Sequence, residues 1–219
     1  MNSALPATPS WPPRMRSRNV RSLVLLFALL APLAGATSLR AEDPSAVLRR
    51  GVDEVMAVVY DPAPSEEPLS VRIRPVLEKY FDFAGITRRA IGSGWRQLTP
   101  EQQKQATDLF GEIVLRTYAD RFQPKERPTL SYGAVVELSA RRRELAQTVG
   151  YLGQDYSVAY RMEEQPSGTW LVYDIIIEGV SMVSNYRAQF DAILQKGGPE
   201  ALLRSLEENL GAVTAASRP

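Results

Sequence analysis

The stretch Glu144–Glu178, ELAQTVGYLGQDYSVAYRMEEQPSGTWLVYDIIIE, decides the fold. Its apolar residues recur at every second position, the spacing of strands whose side chains alternate between two faces. Leu145, Val149 and Tyr151 share a face with Gln147. Tyr156, Val158, Tyr160 and Met162 alternate with Ser157, Ala159 and Arg161, and Leu171, Tyr173, Ile175 and Ile177 occupy one side of a further strand. Gly153-Gln154-Asp155 and Gln165-Pro166-Ser167-Gly168 are turn sequences. Connections this short join antiparallel neighbours. With Leu130–Leu138 as an earlier strand, a meander of about four strands is expected.

On both sides of the meander the apolar period lengthens to that of a helix. Asp43-Pro44 is a helix start, with a capping carboxylate and a proline whose missing N–H costs nothing there. Leu48, Val52, Val55, Met56 and Val59 follow at helical spacing, and Asp61-Pro62-Ala63-Pro64 stops the helix. Residues 69–80 read as a second helix with a kink or restart at Pro75, and Asp82 caps a short third that Gly92 ends. Thr99-Pro100-Glu101-Gln102 is a capping box, and it opens a helix with Ala106, Leu109, Phe110, Ile113, Val114 and Tyr118 on one stripe. After Gly179, a helix from Ser181 to Lys196 and another from Gly198-Pro199 to Leu210 complete the pattern, with 212–219 as a disordered tail. Helices on one face of an antiparallel sheet make an α+β fold.

Composition restricts the chemistry. The 219 residues contain no Cys and no His. Disulfides, thiol nucleophiles, His-ligated zinc and Ser-His-Asp machinery are excluded, and no cofactor or metal is expected. Residues 1–36 carry Arg14, Arg16, Arg18 and Arg21 without an acid, then the apolar run Leu23–Ala31 and the small-residue triplet Ala34-Gly35-Ala36. That order is an export signal with a cleavage site. An uncleaved anchor or a cut after Ala41 are the alternatives. The remaining domain, 37–211 plus the tail, holds 22 basic and 25 acidic residues, net −3. Such a balance argues against a nucleic-acid partner.

Two stretches carry a family resemblance. The first runs from Tyr80-Phe81-Asp82-Phe83 through Arg88-Arg89-Ala90-Ile91-Gly92, Trp95 and Thr99–Gln102 to Arg116-Thr117-Tyr118-Ala119. The second is Trp170–Asp174, Glu178-Gly179-Val180-Ser181 and Asn185–Phe190. Together they closely resemble the MlaC, or toluene-tolerance, family of periplasmic phospholipid carriers over about residues 43–210. The resemblance implies a fold similar in outline to the nuclear-transport-factor cone, with acyl chains held between sheet and helices and the headgroup at the mouth. It implies a monomeric carrier and no enzyme. The implied partners are an outer-membrane lipoprotein–porin complex and an inner-membrane ABC transporter bearing MCE subunits. The implied role is to maintain lipid asymmetry of the outer membrane.

On this reading Val149, Tyr151, Val158, Tyr160, Tyr173, Ile175 and Ile177 are the candidate lipid-lining residues, with plain core packing as the alternative for each. Arg88, Arg89 and Arg96 are candidates for headgroup or partner docking, against the alternative of solvated surface or ion pairs. Arg141-Arg142-Arg143 is either a docking patch or a solvated hairpin tip. Asp174 is either a hydrogen-bonded structural carboxylate or the base of an isomerase. A hopanoid or other apolar lipid is the alternative cargo, and a ligand-free adaptor the third reading.

Overall fold

Asp43 caps the first helix by accepting a hydrogen bond from the Ser45 N–H at 3.1 Å, and Pro44 takes the first helical position. The computed structural model describes residues 42–63, 66–119 and 126–216; the expected export signal lies outside them. Helix α1 spans Pro44–Val59, α2 Leu69–Tyr80, α3 Phe83–Ile91 and α4 Pro100–Ala119, with a 3-10 turn at Gly92–Gln97. The capping box forms as read. The Thr99 N–H donates to Gln102 Oε1 at 2.9 Å and the Gln102 N–H donates to Thr99 Oγ1 at 3.2 Å. Pro75 sits inside α2, which continues through it.

The meander comprises β1 (Thr129–Ser139), β2 (Arg142–Tyr151), β3 (Gln154–Glu164), β4 (Trp170–Ile177) and a two-residue β5 (Val180–Ser181), in sheet order β1-β2-β3-β4-β5 with every pair antiparallel. The sheet therefore has five strands, one more than expected. The Gly179 turn folds the chain back for long enough to make a bridge before the last helix starts. That helix, α5 (Met182–Ala216), carries a break at Gly198 (φ 67°, ψ −164°), a conformation that opposes a Cβ. The break separates the two helical segments expected from the Gly198-Pro199 pair. The second segment runs to Ala216, so residues 212–216, expected as part of a loose tail, are helical.

The helices pack into two main cores, with a small third cluster of Ile73, Leu115 and Ala119 between α2 and α4. One lies among α3, α4, α5 and the 3-10 turn, and contains Ile86, Ile91, Phe110, Ile113, Phe190, Leu202 and Leu206. There the Phe110 ring meets Tyr186 and Phe190 edge-on, at centroid distances of 4.7 and 5.2 Å. The other lies where α1 and α2 cover the sheet, and contains Val47, Leu48, Val76, Tyr80, Leu145, Met162, Trp170 and Val172. Gly51 of α1 permits this cover: a Cβ there would stand 2.9 Å from the Tyr80 ring. The α2–α3 junction is tied to β4, with the Asp82 N–H donating to the Val172 carbonyl at 3.0 Å.

One irregularity alters the sheet faces. Arg161 pairs with Asp174, but the next residue, Met162, pairs with Val172. Tyr173 is thus the extra residue of a β-bulge, which reverses the alternation along β4. Trp170 and Val172 face the helices before the bulge, and Ile175 after it. Leu171 and Tyr173 do not share a face with Ile175 and Ile177, contrary to the simple period of two.

Candidate functional site

Between the sheet and the helices lies a cavity of about 430 Å³. It falls in the size range of ligand pockets, roughly 300–1,000 Å³. Helix α1 contributes Val52, Val55, Met56 and Val59. Helix α2 contributes Leu69, Ile73, Leu77 and Tyr80, and the end of α4 contributes Val114, Leu115 and Tyr118. The sheet contributes Leu130, Gln147, Val149, Val158, Tyr160, Met162, Val172, Ile175 and Ile177. No charged residue lines it among the described residues. Its only strongly hydrogen-bonding side chains there are Gln147 and the hydroxyls of Tyr80, Tyr118 and Tyr160. The closed end is at Met162 and Val172, both fully buried. The wall reaches solvent at Ile177, 39% exposed, and Tyr118, 46% exposed.

Tyr160 and Gln147 make a defined polar contact on the sheet wall. The Tyr160 hydroxyl donates to Gln147 Oε1 at 3.0 Å. Desolvation, reinforced by the Tyr132 hydroxyl, pushes Tyr160 up to about 12, so its hydroxyl stays neutral at any physiological pH. An apolar hollow with neutral hydrogen-bonding groups can solvate hydrocarbon. Each methylene moved into it from water gains about 0.8 kcal/mol.

The structure brings five of the seven expected lining residues to this wall: Val149, Val158, Tyr160, Ile175 and Ile177. Two lie elsewhere. Tyr173 is turned by the bulge onto the opposite sheet face, where the guanidiniums of Arg89 and Arg142 stand 4.4 and 5.7 Å from its ring centroid. Tyr151 lies at the last position of β2, half-buried, where its hydroxyl opposes ionisation of Tyr60. It is beyond the cavity wall.

The three expected docking arginines do not meet at the cavity mouth. Arg89 is committed to an ion pair with Glu163, and Asp82 Oδ2 lies 3.9 Å from its other terminal nitrogen. Arg88 and Arg96 are exposed on α3 and the 3-10 turn, and neither lines the cavity. Arg141, Arg142 and Arg143 are occupied as well. Arg141 donates to the Glu164 carbonyl, Arg142 to Glu163 Oε1 at 2.9 Å and Arg143 to the Ser139 carbonyl at 2.6 Å. Burial opposes ionisation of Glu163, yet the Arg142 hydrogen bond and the Arg89 charge hold it below the usual carboxylate range.

Asp174 takes the structural role. It is 3% exposed and faces away from the cavity. Oδ2 accepts from the Ser181 hydroxyl at 2.6 Å and Oδ1 from the Val183 N–H at 3.0 Å, with Arg161 Nη1 at 3.4 Å. Ser181 in turn accepts from the Ser184 N–H, capping α5. Asp174 thus ties α5 to β4 and faces Arg161 of β3, the arrangement of a hydrogen-bonded structural carboxylate.

The helical part of the wall was not among the expected lining residues. Its only sequence signal is the apolar stripe of α1, α2 and α4, which reads the same whether it faces side chains or a void. Gln147 had a clearer signal, as a polar residue on the apolar face of β2.

Comparison with known proteins agrees with this architecture. Residues 49–208 match the family model described as MlaC protein. The intermembrane phospholipid transport system binding protein MlaC of Haemophilus influenzae is 22% identical over 195 residues, covering 85% of this chain and 91% of that protein. The solved phospholipid-binding protein from Ralstonia solanacearum, in complex with a phospholipid, superposes with a TM-score of 0.70 at 28% identity, over 79% of this chain and 99% of that one. The family model spans most of the chain and the fold agrees with a solved relative, so this protein belongs to the MlaC family.

Proposed function

We propose that this protein is a periplasmic carrier of glycerophospholipid, exported by its N-terminal segment and handing lipid between an outer-membrane lipoprotein–porin complex and an inner-membrane MCE–ABC transporter. The observation that carries the reading is the cavity, an apolar hollow between sheet and helices with no charge on its described wall. Acyl chains enter it and the headgroup stays outside. Ten methylenes buried this way contribute about 8 kcal/mol before ordering costs. That is ample to keep a lipid out of water, and it leaves release to a change in the protein. The phospholipid relatives support the choice of cargo.

The test is organic extraction of the purified protein followed by mass spectrometry. Two-chain phospholipid near one per protein is the expected result. Hopanoid in its place would change the cargo, and a protein that stays empty after incubation with phospholipid vesicles would overturn the carrier.

A further inference from the structure

Gln147 is anomalous where it stands. It is 3% exposed, it lines the cavity, and its neighbours along the same face of β2 are Leu145 and Val149. Its Oε1 accepts from Tyr160, but its Nε2 is buried without a hydrogen-bond partner among the described residues. Reversing the amide would let Nε2 donate to the Tyr160 oxygen and would still leave one N–H without a protein partner. The NH₂ has two N–H groups and the Tyr160 oxygen can take only one. Tyr132, opposite Gln147 in register, is near enough for the amide to temper the rise that burial imposes on its hydroxyl. It makes no hydrogen bond to Nε2. A buried donor left unpaired costs about as much as several methylenes gain, and leucine would fill the same space without that cost.

Its position along the cavity says what the donor could meet. Gln147 pairs with Val158, which pairs with Ile177 at the exposed rim. The closed end at Met162 lies four residues further along β3 than Val158, about 13 Å. A chain bound with its first carbon at Gln147 would therefore run inward to the closed end, with the rest of the molecule directed to the rim. In a glycerolipid the group at that junction is the ester carbonyl, an acceptor with no donor of its own.

Resting on the carrier reading above, we infer that Gln147 donates through Nε2 to an ester carbonyl oxygen of the cargo, with Tyr160 orienting the amide, and that the protein thereby selects ester-linked chains over chains that lack the carbonyl. Gln147 is a specificity residue inside the cavity, and the headgroup plays no part in this selection.

The experiment incubates delipidated protein with vesicles of equal parts diester and diether phosphatidylethanolamine of one chain length. Bound lipid is then extracted and the two forms counted by mass spectrometry. The wild type should enrich the ester about three- to tenfold, the range set by one neutral hydrogen bond. Gln147→Met, nearly isosteric and without the donor, should bring the ratio of ester to ether among the bound lipid near one. A wild-type ratio equal to that of the vesicles overturns the inference and leaves the carrier reading intact, and this measurement needs no variant. Equal enrichment in wild type and Gln147→Met also overturns it. Failure of the wild type to bind either lipid overturns both readings.

Discussion

The two main cores of this fold are built from similar residues and used differently. Among α3, α4 and α5 the space is filled: Phe110 is enclosed by Tyr186 and Phe190, and Ile86, Ala90, Ile91 and Leu202 have almost no accessible surface. Between the sheet and helices α1, α2 and α4, equally apolar side chains stop short of one another and leave about 430 Å³ open. Protein interiors close such gaps where they can. A gap persists only if its walls are held from outside. The opposite sheet face provides that hold through the cross-strand ion pairs Glu144–Arg161–Asp174 and Arg142–Glu163, through the pairing of Glu163 with Arg89 of α3, and through Asp174 anchoring α5. One region supplies stability and the other supplies room.

The largest expected effect on stability lies in the filled core. Phe110→Ala removes a fully buried ring and leaves a cavity that its neighbours cannot close, at a cost of about 3–5 kcal/mol in urea unfolding. The lipid held per folded molecule should not change. Loss of cargo at unchanged stability would mean that the two cores do not divide the work as described. Next comes the hold on the walls. Asp174→Ala strips two hydrogen bonds and a charge partner from the β4–α5 junction, an expected loss of about 2–4 kcal/mol. Asp174→Asn, which keeps the shape and one acceptor, should lose less. Equal losses would show that the retained shape and acceptor recover nothing, so that the whole contribution comes from the carboxylate's charge.

The meander was legible in the sequence because Gly153-Gln154-Asp155 and Gln165–Gly168 bracket strands of clear period two, and α4 because Thr99–Gln102 caps it in the way such a box must. Tyr173 was not legible. Its face depends on a bulge set by how β3 pairs with β4, and alternation along β4 alone carries no sign of that slip. Arg89 was not legible either, since its partner Glu163 lies 74 residues away in sequence. The cavity itself has no local signature. Val55 and Leu77 look like any core residues, and only the distance between layers turns their stripe into a wall. Five of the seven proposed wall residues still fell on it: Val149, Val158 and Tyr160 because face alternation along β2 and β3 is uninterrupted there, and Ile175 and Ile177 because both follow the bulge in β4.

A smaller effect tests how dry the open region is. Tyr160 is pushed up to about 12 by burial, against about 10 in the unfolded chain. The fold favours the neutral hydroxyl, so the stabilisation is complete below pH 10. Above that the unfolded chain loses its proton first, and stability falls as pH rises toward 12, by up to roughly 1.4 kcal/mol per pH unit. Tyr160→Phe removes this contribution. Urea midpoints at pH 9 and pH 11 should therefore fall less steeply in the variant, by about 1 kcal/mol across the interval. Identical slopes would mean that water reaches the hydroxyl and that the wall is wetter than its apolar lining implies.

The smallest change in unfolding free energy is expected from the substitution that separates the two regions most sharply. Val158 stands half-buried in the sheet wall with open space before it. Val158→Trp would place an indole in that space, gaining contacts where none exist and displacing no side chain. Unfolding free energy should shift by no more than about 1 kcal/mol, while extracted lipid falls to background. The same enlargement at Ala106, which has no accessible surface and lies in the filled core, must push Phe110 and its neighbours aside. That should cost at least the 1–3 kcal/mol typical of an overpacked core, roughly, and leave the cargo of whatever still folds unchanged. If Val158→Trp instead destabilises as much as Ala106→Trp, the hollow is not space the fold holds open, and the contrast between a filled core and a reserved one fails.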